Sequence, residues 1–67
     1  MTLHEAIITI IKKMGPMKAS QVAWLLNHSN LYRKRDNSEI STSQIYARIN
    51  KYPNLLFVNE NKLVCIN

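Results

Sequence analysis

Glycine is nearly absent from the chain, which has one in 67 residues, together with two prolines and one cysteine. A single glycine rules out the glycine-rich loop that cradles nucleotide phosphates. One cysteine rules out an intramolecular disulfide, and nothing in its use suggests an oxidising compartment. Acidic residues number four. Asp36, Glu39 and Glu60 fall in expected loops or turns, not in an organised acid–base pair. His4 and His28 fall on separate helical patterns and Cys65 on an expected strand, so no metal-ligand spacing joins them. Cys65 reads as a small core residue rather than a nucleophile or zinc ligand. No catalytic residue, cofactor, metal or small-molecule substrate is expected, so the reading is of a non-enzyme. Long apolar runs are lacking as well, which argues against a membrane span. Met1 is not followed by a basic region and a signal-type apolar run, so the expected location is cytoplasmic, and at the nucleoid if the chain binds DNA.

Hydrophobic residues make up 46% of the chain, enough for a packed core but little more. A domain of this size buries only ~60% of its unfolded surface, so nearly every large apolar side chain must serve one core. Residues 1–67 therefore read as a single domain. Nine basic residues against four acidic ones give net +5 and a pI near 9.7. Such an excess suits an anionic partner, nucleic acid being the commonest, although charge kept for solubility has the same appearance.

Thr2 and Glu5 form a T-x-x-E capping box at the start of the first helix. Leu3, Ala6, Ile7, Ile10, Ile11 and Met14 recur at steps of three and four and mark its apolar stripe. Ile8 falls off that stripe and should pack against a neighbouring element. Lys12 and Lys13 suit the C-terminal dipole. Gly15-Pro16 ends the helix, with Gly15 expected in the left-handed cap. A second helix is expected from about Ala19 to His28, burying Ala19, Val22, Ala23, Leu25 and Leu26. Trp24 lies round the helix from Val22, either covering the edge of the core or offering an anchor to a protein partner.

The connection that follows opens with Leu31 and Tyr32, which should tuck against the core. It continues with the basic run Arg33, Lys34 and Arg35 and ends in Asp36-Asn37-Ser38, which is turn chemistry. The basic run is either a solvated loop or a set of phosphate contacts. Ser41 and Gln44 make a second capping box, predicting a third helix from Thr42 to Lys51. Ile45, Ile49 and Tyr52 bury one face. Gln44, Ala47, Arg48 and Lys51 share the other, with Ser43 at the exposed first turn. The small Ala47 permits close approach to a groove. Gln can pair with adenine, Arg with guanine and Lys with phosphate, though a solvated face could have the same composition. After Pro53-Asn54, the tail reads as two strands around Asn59 to Lys62, with Asn61 expected to take positive φ and Lys62 near the tip. Met17 could add a short third strand. The expected fold is mainly α with a small β-hairpin: a winged helix-turn-helix of three helices and a C-terminal two- or three-stranded wing sheet.

Gly15-Pro16-Met17 leading into A-S-Q-V-A, followed by L-Y-R-K-R-D-N-S-E-I-S-T-S-Q-I-Y-A-R-I-N-K-Y-P-N-L-L-F-V, resembles the HARE-HTH domain. That winged-helix family occurs in bacterial restriction systems, in chromatin-associated proteins and at the N-terminus of the bacterial RNA polymerase delta subunit. The resemblance covers most of the chain and is most specific from Leu31 to Phe57. Asn59-Glu60-Asn61 departs from the family's wing, having no glycine and one acid. It implies a non-catalytic DNA-binding adaptor, often fused to an effector domain, tied to transcription or restriction. On that reading the third helix lies in the major groove, residues 33–35 contact phosphates and Lys62 reaches the backbone. The other reading is a protein-interaction module that docks on a larger enzyme or polymerase.

Overall fold

The computed structural model describes residues 1–32, 34 and 36–67, arranged as three helices and a three-stranded antiparallel sheet. The chain runs α1 (Leu3–Met14), β1 (Met17–Lys18), α2 (Ala19–Asn27), α3 (Thr42–Lys51), β2 (Leu56–Val58) and β3 (Leu63–Ile66). Both capping boxes form. The Thr2 hydroxyl accepts from Glu5 N–H at 3.3 Å while Glu5 Oε1 accepts from Thr2 N–H at 2.8 Å. Ser41 and Gln44 repeat the exchange at 3.2 and 2.8 Å. Each box satisfies backbone donors that the first helical turn leaves unpaired, which is why α1 and α3 begin where the motifs stand. At α2 only half of such a box is possible. Lys18 N–H donates to Gln21 Oε1 at 3.1 Å, but a lysine side chain has no acceptor to return.

Gly15 ends α1 at φ 89° and ψ 172°, its N–H donating to Ile11 O at 2.7 Å. This is not the left-handed helical cap expected from the sequence. Pro16 disfavours helical ψ in the residue before it, so Gly15 takes positive φ with extended ψ, a region essentially reserved for glycine. The apolar stripe of α1 also stops one residue early: Met14, expected in the core, is 61% exposed. It is the last helical residue and borders an open hollow with Ile10 and Leu25. In α2, Leu25 is only partly buried, and His28 serves as the C-cap instead of the last helical residue. Ile8, Leu31 and Tyr32 pack against the core as partly buried side chains.

The sheet order is β1-β3-β2. Met17 and Val58 flank Val64 in register from either side, and Leu56 faces Ile66. Val64 and Leu56 are fully buried with Ile7, Val22, Leu26 and Ile45, so one face of the sheet closes the helical core. Cys65 is buried opposite Phe57. The hairpin turns through a tight bond from Lys62 N–H to Asn59 O at 3.0 Å. Lys62, not Asn61, takes positive φ, at 65°. The reason is local: Asn59 Oδ1 accepts from both Asn61 N–H (3.0 Å) and Leu63 N–H (2.9 Å), so the left-handed residue falls after the turn, as in a three-residue hairpin loop. Among the described residues no helix is long and apolar enough to cross a membrane.

Candidate nucleic-acid interface

The polar face of α3 is oriented by Ile45 and Ile49, which are buried on the opposite side. At about 100° per residue, the position farthest from that pair is Ala47, followed by Ser43 and Lys51, with Asn50 and Gln44 equally far on opposite edges. Of these the exposed ones are Ser43, Ala47, Asn50 and Lys51. Gln44 and Arg48, expected on the same face, stand on one flank and are half-buried. Asn50, missed by the sequence reading, is exposed at the edge of the face opposite Gln44. The signal was available, because the buried pair alone defines its opposite. Tyr46, 38% exposed, borders the face on its other flank.

Hydrogen bonding separates these side chains further. Gln44 Oε1 is held by Ser41 N–H in the capping box, so a bidentate pair with adenine, which needs both amide atoms, would require opening the cap. Arg48 Nη1 donates to His4 Nδ1 at 3.5 Å, a long bond. Because a guanidinium can only donate, His4 Nδ1 is the acceptor and Nε2 carries the hydrogen. That Nε2–H then donates to the Thr2 hydroxyl at 3.2 Å, and the hydroxyl donates to Glu5 Oε1 at 2.9 Å. A relay thus runs from α3 to the N-cap of α1, with the His4 ring stacked on Tyr52 at 3.9 Å. Arg48 is aimed back at the domain, by a bond long enough to release easily.

The connection between α2 and α3 is held at its ends by one side chain. Asn27 Nδ2 donates to Ile40 O at 3.0 Å and Asn27 Oδ1 accepts from Ile40 N–H at 2.7 Å. Within the connection, Asp36 Oδ1 accepts from Ser38 hydroxyl (2.7 Å) and Ser38 N–H (3.0 Å). These two bonds, the hydroxyl's first, lower the Asp36 carboxyl below its ordinary value. Asn37 follows at φ 62°, an angle asparagine tolerates. Of the basic run, Lys34 is half-buried beside a small polar hollow lined by Asn27, Tyr32 and Ser38. Arg33 and Arg35 lie outside the described residues. Lys62 is exposed in the hairpin turn. The structure therefore brings Ser43, Ala47 and Lys51 onto one surface, places Gln44 and Arg48 beside it, and puts Lys34 and Lys62 on other segments. Among the described residues, no group of three or more His, Cys, Asp or Glu side chains could hold a metal ion. No family model, no curated protein and no solved structure matches the chain.

Proposed function

We propose that the chain is a winged helix-turn-helix module that binds double-stranded DNA without catalysis, laying α3 in the major groove. The observation that carries this reading is the outward face of α3. It is a capped helix whose exposed outer residues, Ser43, Ala47, Asn50 and Lys51, include no acid and no large aliphatic side chain. The order of elements supports it: a helix pair ending in α3, then a hairpin whose central strand also pairs with the two residues before α2. Asn50 can pair with adenine through both amide atoms, Ala47 leaves room for the groove wall, and Lys51 meets phosphate. The first turn of α3 adds backbone donors at Ser43 for a phosphate oxygen. Arg48 is a reserve reader that must first leave His4, and Gln44 contributes mainly by holding the cap. Lys34, Arg33, Arg35 and Lys62 supply backbone attraction that is indifferent to sequence.

Titration of duplex DNA at two salt concentrations tests the reading. Binding should weaken with a log–log slope of about −0.9 for each phosphate neutralised. A chain that binds no duplex at low salt, or binds with no dependence on salt, is not such a module.

A further inference from the structure

We propose that the groove between the C-terminal half of α1 and α2 receives the apolar face of an acidic amphipathic helix from a partner protein. This goes beyond DNA binding and does not rest on it, since no α3 residue lines the groove. Two hollows adjoin there, of about 250 and 380 Å³, sharing Met14 and Leu25 as common walls. Ile10 and Leu31 deepen the first, and Met17 and Trp24 close the second. Met14 and Trp24 are 61% and 58% exposed, which in a 67-residue domain withholds two large apolar side chains from a core that has few to spare. Adjoining hollows suit successive apolar anchors spaced along one face of a helix. Unbranched methionines let such a surface adapt to side chains of different shape.

The tryptophan is held ready. His28 Nδ1–H donates to Trp24 O at 2.8 Å, and its ring stacks on the indole at 4.1 Å and 17°. Fixing the ring before binding lowers the entropy lost when it becomes an anchor.

Charge selects the occupant. Among the described residues Lys13 is the one charged side chain lining either hollow and no acidic residue lines them, while Lys12 and Lys18 adjoin lining residues in the chain. A second copy would bring Lys13 and a net charge of +5 against themselves, and like charges across an interface are costly. A lipid surface wants protruding apolar side chains, whereas much of this apolar surface is recessed. An acidic helix with apolar anchors meets both demands.

Trp24 is the chain's one tryptophan, so its emission reports the groove directly. The probe is a synthetic amphipathic helix with leucines on one face and glutamates on the other. A saturable blue shift that weakens with salt is expected. Trp24→Ala and Met14→Gln, followed by calorimetry, should each weaken binding about tenfold or more, as truncated anchors do. Lys13→Glu should weaken it several-fold. All three variants should keep the parent's melting temperature, and saturating duplex DNA should not displace the peptide. The proposal fails if a scrambled peptide of the same composition binds equally, or if Trp24→Ala binds as tightly as the parent. It also fails if only phosphatidylserine vesicles shift the emission, or if the chain dimerises through this face and Trp24→Ala restores the monomer.

Discussion

The outward face of α3 and the groove between α1 and α2 are both exposed helical surfaces over one core, yet they are built on opposite terms. On α3 one flank is already spoken for: Gln44 completes a cap and Arg48 leans on His4, so the polar surface left over is small and lies away from them. In the groove, Met14 and Trp24 are exposed apolar side chains, and the indole is held by the stacked His28 ring. The difference teaches that spacing identifies which residues share a helix face, but prior hydrogen bonds decide which of them can meet a ligand.

The sharpest way to break the comparison is to undercut one side only. Ile49→Ala removes a buried support beneath α3 and should cost ~2–5 kcal/mol, enough to threaten so small a domain. Urea unfolding measures it, and a variant as stable as the parent removes Ile49 from the core of this account. Gly15→Ala attacks the other side. An added Cβ meets no atom within 4 Å, so the penalty is purely that of a positive φ, about 1–3 kcal/mol. Relief of that strain by moving the end of α1 should disturb the peptide groove before it disturbs DNA binding.

Two substitutions on α3 sharpen the contrast between its exposed edge at Asn50 and its engaged flank at Gln44. Asn50→Ala should lower binding to the preferred duplex by ~1–3 kcal/mol and relax one position of its sequence, with melting nearly unchanged. Gln44→Ala should do the reverse, costing about 1 kcal/mol of stability through the lost cap bond and little sequence preference. Equal effects of the two on one duplex would erase the distinction between the exposed and the engaged edge. The smallest effect concerns acid. Backbone and then hydroxyl donation from Thr2 lowers the Glu5 carboxyl below its ordinary 4.5. A carboxylate favoured in the folded state adds stability above that value, and the contribution is lost as pH falls through the folded value. Glu5→Gln should therefore lessen the decline in melting temperature below about pH 4.5, relative to the parent.

Much of the fold was legible where a local motif and a long-range pattern agreed. S-x-x-Q at one end and Tyr52-Pro53 at the other bound α3 as the structure has it, because caps and prolines act within a turn of themselves. The hairpin and the extra strand at Met17 were legible from β-branched content and from a short gap between helices. What failed were details that depend on a second influence. Met14 kept the helical period but borders an open hollow. Gly15 was expected in one left-handed region and was pushed to another by Pro16. Asn61 had the better propensity for positive φ, and the side chain of Asn59 moved that demand to Lys62. On α3, four residues at helical spacing were read as one face, and the buried pair shows that face rotated toward Asn50.

The clasp between Asn27 and Ile40 has a mechanical consequence. One amide pairs with both backbone groups of Ile40 and so fixes where the chain leaves α2 and where it returns toward α3. Added length between those two points costs little, because doubling a loop costs only ~0.6 kcal/mol in closure entropy. An insertion between Ser38 and Glu39, both exposed, should therefore leave α2 and α3 in place, while His28, Leu31 and Tyr32 stay tied to the groove and the core.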